Sequence, residues 1–240
     1  ALMITGSHIP FDRNGIKFYR AEGEITKTDE AGIRAALDMP AAAEAPGTDL
    51  TDDTARERYL ARNTAFFGTR SLVGRRIGVY QHSAAGRDLM VDALAGCGAT
   101  VVPLGRSDDF IPIDTEAVRQ EDMALAAGWA AEHRLDALVT TDGDADRPLI
   151  ADETGHFLRG DLVGLLTARL LGADAVATPV SSSTALERSG WITKVARTRI
   201  GSPFVIEALE ALAGEGACSP VGYEANGGFL LGAAIERAGR

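Results

Sequence analysis

Cysteine and long apolar runs are both scarce in this 240-residue chain. The two cysteines, Cys97 and Cys218, lie far apart, which excludes a cysteine-based metal site and is typical of a protein from a reducing compartment. No apolar run approaches the roughly 20 residues that cross a bilayer, and no secretory signal is recognisable. We therefore expect a soluble cytoplasmic protein that does not associate with membranes.

Positively charged residues are also few: the chain has 24 Lys and Arg and 34 Asp and Glu, which gives a net charge of −10. This balance disfavours nucleic-acid binding, because a phosphate backbone requires clustered Lys and Arg. A small anionic substrate is still allowed, because a local basic pocket suffices. The hydrophobic fraction of 45% and charged fraction of 24% are those of a globular protein with a sizeable core.

Strand and helix patterns alternate along most of the chain. "RIGVYQH" predicts a strand at 76–82, "AGRDLMVDALAGCG" a helix and "ATVVPLG" the next strand. Such alternation predicts an α/β fold with mostly parallel pairing. The segment after the first strand lacks the G-x-G-x-x-G spacing, which excludes a dinucleotide site there. A Pro-, Ala- and Asp-rich stretch at 39–53 predicts a linker, and the alternation restarts after Gly160.

The strongest chemical signal is "TTDGDADRP" at 140–148, directly after an apolar strand pattern. Asp142, Asp144 and Asp146 alternate along a turn, and carboxylates held close together repel unless a cation lies among them. Their hard oxygens suit Mg²⁺ or Ca²⁺ rather than zinc. The sequence therefore predicts a metal site.

The acidic turn also resembles two other kinds of metal site. An EF-hand is excluded, because its sixth position requires Gly where this chain has Arg147, and because a strand precedes the turn. A metal-dependent nucleotide-sugar enzyme that uses Asp142 and Asp144 stays open, although it leaves the Ser- and His-containing "TGSHIP" near the start unexplained.

Three segments, in this order, resemble the α-D-phosphohexomutase family of phosphomannomutases and phosphoglucomutases: "TGSHIPFDRNGIK", "DGDADR" and "GYEANGG". The resemblance continues through "GDLVGLLTARLL" and "RTRIGSPFV" and covers nearly the whole chain. It implies consecutive three-layer α/β/α domains with mixed, mostly parallel sheets. Residues 1–48 would be the C-terminal part of domain 1, 49–157 domain 2, and 158–240 most of domain 3. We therefore expect a fragment that lacks the start of domain 1, the end of domain 3 and domain 4.

The resemblance also implies a role for each motif residue. Ser7 would be the phosphoryl carrier, phosphorylated in the resting enzyme, and a phosphate oxygen on Ser7 would complete an Mg²⁺ site made by Asp142, Asp144 and Asp146. Lys17 would transfer a proton to or from the sugar hydroxyl, and His8 would shape the serine loop or act in catalysis. The substrate-binding residues would be Arg147 for the phosphate, and Glu224 and Asn226 for the sugar hydroxyls.

The implied reaction moves a phosphoryl group between O1 and O6 of a hexose through a hexose 1,6-bisphosphate. Mannose phosphate is favoured, with glucose phosphate as the alternative, and "YEANGG" disfavours a glucosamine-specific member. Tyr223 precedes Glu224 where the family often has Gly, and Gly228 stands where a histidine is frequent, so the choice of sugar stays open. Without the distal phosphate grip of domain 4, we expect the 240 residues alone to be inactive.

Overall fold

The strands that the structure describes form three sheets. The structure is a computed structural model and describes residues 2–5, 12–21, 23–40, 51–52 and 54–232. The predicted linker at 39–53 therefore lies mostly outside the described residues. None of the helices that the structure describes has the length and apolar character needed to cross a bilayer.

The first sheet is antiparallel and has three strands, β1 (Leu2–Thr5), β2 (Gly15–Arg20) and β3 (Gly23–Glu24). Mostly parallel strand pairing was expected, but this sheet is antiparallel. Parallel neighbours need a crossover connection of a dozen or more residues, and the connections between these strands are shorter. Helix α1 (Lys27–Ala35) follows. Its start is fixed by a capping box, in which Asp29 N donates to Thr26 Oγ1 at 3.3 Å and Thr26 N donates to Asp29 Oδ2 at 2.8 Å.

The second sheet has the order β5-β4-β6-β7, in which the first three strands are parallel and the last is antiparallel. Its elements are α2 (Ala55–Phe67), β4 (Arg76–His82), α3 (Arg87–Gly96), β5 (Thr100–Arg106), α4 (Gln120–His133), β6 (Ala137–Thr141) and β7 (Pro148–Ala151). Tyr80 and Leu138 face α4 in a buried cluster with Ala126, while α3 packs against β4 and β5 and is itself covered by α2. The sequence patterns did not predict α2.

The third sheet repeats this topology with the order β9-β8-β10-β11. Its elements are α5 (Gly160–Leu171), β8 (Ala175–Pro179), α6 (Ala185–Ser189), β9 (Lys194–Thr198), α7 (Ser202–Gly214), β10 (Pro220–Tyr223) and β11 (Phe229–Leu231). Val176 packs with Leu165 of α5, whereas Ala175 and Ala177 pack with Val205 of α7. Because successive strand residues point to opposite faces, helices cover both faces of the sheet in three layers.

The shared topology gives the two larger sheets equivalent hairpins. In each sheet a central parallel strand, β6 or β10, turns back into an antiparallel edge strand. The β6–β7 hairpin contains the acidic turn at 142–147, and the β10–β11 hairpin contains residues 224–228. Ligands of α/β sheets bind at the carboxyl ends of such strands, so the fold places two predicted motifs where binding is favoured. The α/β class with mixed sheets is confirmed, whereas the domain bounds 1–48, 49–157 and 158–240 stay a prediction.

Candidate functional site

The acidic turn is a tight hairpin loop closed by Asp142 and Arg147. Asp142 N donates to Arg147 O at 3.2 Å, and Arg147 N donates to Asp142 Oδ1 at the same distance. Ala145 has a φ of 65°, in the left-handed region that non-glycine residues adopt mainly in tight turns. This fold of the turn brings one carboxylate oxygen each of Asp142, Asp144 and Asp146 within 4.8 Å of one another.

This donor set fits a hard divalent cation. Three carboxylate oxygens are the ligands that Mg²⁺ prefers, and Mg²⁺ retains water on the side that the protein leaves open. Asp142 is only 1% exposed, and a carboxylate at that depth requires opposite charge or hydrogen bonds. The convergence of the three aspartates follows the sequence prediction, although the ion itself stays a prediction.

The first sheet packs its functional residues against this turn. Thr5 Oγ1 donates to the carboxylate of Asp144, and Lys17 Nζ lies 3.3 Å from Asp146 Oδ2 and 3.9 Å from Asp144 Oδ2. Burial alone would lower the pKa of Lys17, but the charges of Asp146 and Asp144 raise it above its ordinary value. Lys17 is therefore a protonated counter-charge of the acidic turn. Thr5 begins the motif "TGSHIP", but the sequence analysis assigned it no role.

Replacing Lys17 with methionine is expected to tighten Mg²⁺ binding. The Lys17 ammonium neutralises the same carboxylates that a metal would use, so its removal leaves them more attractive to a cation. A partly exposed ion pair contributes about 0.2–1 kcal/mol, which corresponds to an affinity gain of about 1.4- to fivefold. Calorimetric titration of MgCl₂ measures this gain, and Lys27→Met, on exposed α1, is the control. Equal or weaker Mg²⁺ binding by the Lys17 variant would contradict the pairing.

A cleft of about 550 Å³ opens beside the acidic turn, between the first sheet and the β10–β11 hairpin. Its walls contain five of the predicted site residues, namely Lys17, Asp146, Arg147, Glu224 and Asn226. Other lining residues include Tyr19, Ile25, Ser202 and Phe229. The structure thus gathers residues more than 200 positions apart into one cavity that has cationic, anionic and apolar walls.

The hairpin loop at 224–228 is held in place by hydrogen bonds within and beyond it. Glu224 N donates to Gly228 O at 3.0 Å, and Gly228 N donates to Asn226 Oδ1 at 2.8 Å. The Thr115 hydroxyl donates to Asn226 O at 2.6 Å. Because Asn226 Oδ1 is engaged by the backbone, its amide NH₂ is the group left to donate to a ligand.

A glycine lets this loop approach the strand that follows the acidic turn. Gly227 has a φ of 96°, and a Cβ there would lie 2.7 Å from Pro148 O, closer than real Cβ atoms come. The positive φ and the lack of space for a Cβ both require glycine at position 227. The two hairpins consequently pack against each other directly, which fixes Glu224 relative to Arg147.

Two of the predicted catalytic residues, Ser7 and His8, lie outside the described residues. The cleft is also lined by residues that sequence reasoning missed, among them Tyr19, Ser202 and Phe229. Tyr19 had a signal, since it follows Lys17 by two positions in a strand and so shares its face. Ser202 had none, because only the packing of the third sheet brings the start of α7 to the cleft.

Comparison with known proteins gives matches along almost the whole chain. Residues 57–155 match the family model described as phosphoglucomutase/phosphomannomutase, alpha/beta/alpha domain II. A phosphomannomutase of Salmonella muenchen is 52% identical over 237 residues, which are 98% of this chain and 49% of that protein. A phosphomannomutase of Sinorhizobium fredii is 47% identical over 246 residues, with 100% of this chain and 52% of that protein covered.

The chain thus spans about half the length of the curated relatives it matches. A crystal structure of a phosphoglucomutase/phosphomannomutase family protein from Burkholderia thailandensis superimposes with a TM-score of 0.79. The superposition covers 96% of this chain and 50% of that one, and at 18% identity it supports the fold alone. The sequence matches and the order of the three motifs agree with this fold. The chain therefore belongs to the phosphoglucomutase/phosphomannomutase family, the phosphohexomutases.

Proposed function

We propose that this chain provides the phosphoryl-transfer and sugar-binding site of a phosphohexomutase that interconverts mannose 1-phosphate and mannose 6-phosphate. One observation supports this most strongly: Lys17, the acidic turn and Glu224 line one cleft although they come from three separate sheets. The choice of mannose rests on the two similar proteins, both named phosphomannomutases. Glucose phosphate is the alternative substrate.

Chain geometry supports Ser7 as the phosphoryl carrier. Thr5 pairs with Gly15 at the end of β1, so residues 6–14 form the connection to β2, and the Thr5 hydroxyl contacts Asp144. Two residues of extended chain span at most about 7 Å, which keeps the Ser7 backbone within that distance of Thr5. Ser7 thus follows, two residues on in the sequence, a residue that contacts the acidic turn, and a serine hydroxyl is able to accept and return a phosphoryl group.

The proposed reaction has two transfers. In the first, the bond between phosphorus and the Ser7 oxygen breaks as a bond to the free sugar hydroxyl forms, and that hydroxyl loses its proton. The hexose 1,6-bisphosphate then reorients, and Ser7 takes the other phosphoryl group back. Lys17 lies on the cleft wall beside the acidic turn. After it loses its ammonium proton to solvent, its amine accepts the proton of the attacking hydroxyl in the first transfer and returns it to the sugar oxygen that is released in the second.

The remaining cleft residues bind and orient the substrate. Asp142, Asp144 and Asp146 would hold Mg²⁺, which when bound neutralises charge on the transferring phosphoryl group. Arg147 presents a planar guanidinium suited to two phosphate oxygens. Glu224 accepts hydrogen bonds from ring hydroxyls and the Asn226 amide donates one, so the pair recognises adjacent hydroxyls.

Coupled assays of the complete gene product with mannose 1-phosphate and glucose 1-phosphate, each with a hexose 1,6-bisphosphate activator, test this proposal. We expect interconversion of both sugars, with the larger kcat/KM for mannose. A larger kcat/KM for glucose would make the protein a phosphoglucomutase. Failure to convert either sugar would overturn the proposal.

A further inference from the structure

We infer that His82 is a positioning residue for the acidic turn, an inference that rests on the proposed metal site. His82 ends β4, next to β6 in the parallel sheet, and its side chain is 0% exposed. The imidazole Nε2 lies 2.9 Å from the carbonyl oxygen of Thr141, the residue directly before Asp142. No motif drew attention to this histidine, and the proposed reaction does not use it.

The chemistry of this hydrogen bond fixes the tautomer of the ring. A carbonyl oxygen only accepts, so Nε2 must carry the proton. The pKa of His82 lies below its ordinary value, because burial disfavours the charged ring. The hydrogen bond to the Thr141 carbonyl acts in the opposite direction but has a smaller effect. The ring is therefore neutral, and its one N–H holds the peptide from which Asp142 extends. Among the described atoms, Nδ1 has no hydrogen-bond partner, so the ring is hydrogen-bonded to no other segment that the structure describes.

The backbone at His82 is itself held in an unusual conformation. Its φ of 29° lies in the left-handed region, where a non-glycine residue is strained. Arg87 Nη1 donates to His82 O at 3.1 Å, and Ser107 N donates to the same oxygen at 3.0 Å. Two donors from different segments thus keep the strained residue in place, and strain of this kind is found mainly at functional sites.

The residues after His82 also contact the acidic turn. Ala85 N donates to Gly143 O at 2.9 Å. A Cβ on Gly86 would lie 2.7 Å from the Cβ of Ala145, so the Gly86 backbone lies close against the Ala145 side chain. Segment 82–86 therefore supports the turn at three successive points, before Asp142, at Gly143 and at Ala145. Partners that orient metal-binding carboxylates from behind control metal affinity.

Mg²⁺ affinity of the 240-residue chain, measured by calorimetric titration of MgCl₂, tests this role. His82→Phe keeps a ring against Tyr80, whose centroid is 5.2 Å away, but removes the donor. It is expected to weaken Mg²⁺ binding by about 10- to 100-fold. His82→Gln places an amide N–H where Nε2 was, and it is expected to restore the Mg²⁺ affinity to within about threefold of wild type. His82→Asn is expected not to restore the affinity, because the shorter asparagine side chain does not bring its amide to that position.

A purely structural role gives a different result. It predicts that His82→Phe lowers the melting temperature in EDTA but leaves the Kd for Mg²⁺ unchanged, and this outcome would overturn the inference. If His82→Phe does not fold, the comparison of His82→Gln with His82→Asn takes its place. Equal Mg²⁺ affinities for these two variants would also overturn the inference. A wild-type chain that binds no Mg²⁺ would instead remove the proposed metal site, and with it the reason to assign His82 this role.

An independent pair of variants tests the contact at Gly86. Gly86→Ala forces Ala145 to move and is expected to weaken Mg²⁺ binding about tenfold, since a displaced support costs metal affinity. Gly128→Ala, in the middle of α4 with nothing within 4 Å of the added Cβ, is the matched control and leaves the affinity unchanged. Equal Kd values for the two variants would contradict the support of the turn by segment 82–86.

Discussion

Replacing Ser7 with alanine is expected to reduce the proposed mutase activity of the complete gene product by about four orders of magnitude or more, because a two-step transfer cannot proceed without its covalent carrier. Binding is expected to change far less, since Lys17, Arg147 and Glu224 still line the cleft. The loss should therefore appear in kcat rather than in the Kd of a sugar phosphate. Intact mass of the wild type should carry one phosphate that phosphatase removes.

Ser71→Ala provides the matched control. Its hydroxyl lies in an exposed turn and donates only to Gly68 O, so both activity and phosphate content are expected to stay at wild-type values. Substantial activity in Ser7→Ala, or a phosphate that persists in that variant, would contradict the assignment of the carrier. Retained activity would also revive the nucleotide-sugar interpretation of the acidic turn.

Replacing Asp144 with asparagine is expected to abolish Mg²⁺ binding by the 240-residue chain. Asp144 is the middle of the three carboxylates, and the change removes a charge while keeping an oxygen that still accepts from the Thr5 hydroxyl. A ligand at one hundred times its Kd stabilises the native state by about 2.7 kcal/mol. For a chain of this size that amounts to a rise of about 5–10 °C in melting temperature, and the variant should lose this rise.

Thermal unfolding with MgCl₂ and with EDTA measures the effect directly. Asp108→Asn is the control, because its side chain is 96% exposed and distant from the turn in sequence, and it should keep the full Mg²⁺-dependent rise. An Asp144→Asn chain that is still stabilised by Mg²⁺ as strongly as wild type would show that the three aspartates do not form the metal site.

The sequence predicted the fold where local patterns decide it. "RIGVYQH" became β4 with the predicted bounds, because a fully buried parallel strand is an unbroken apolar run between polar residues. The acidic turn and the loop at 224–228 were recognisable for a similar reason, since their chemistry lies in consecutive residues. The antiparallel first sheet was not predicted, because its pairing depends on connection length rather than on side-chain pattern.

The features that sequence reasoning missed are set by contacts between distant segments. The hydrogen bond of Thr5 to Asp144 joins residues 139 positions apart, and the contact of His82 with Thr141 joins neighbouring strands 59 positions apart. Helix α2 was missed because its exposed surface shows only a weak apolar stripe, and its packing on α3 is visible only in three dimensions.

The central claim is that three separate segments form one sugar-phosphate site. Its most direct test is a titration of the ¹⁵N-labelled 240-residue chain with mannose 1-phosphate and MgCl₂, followed by amide chemical shifts. The account predicts that residues around Lys17, Arg147 and Glu224 shift together with one Kd. Shifts confined to a single segment, or centred on the separate cavity lined by Phe157 and Tyr223, would contradict it.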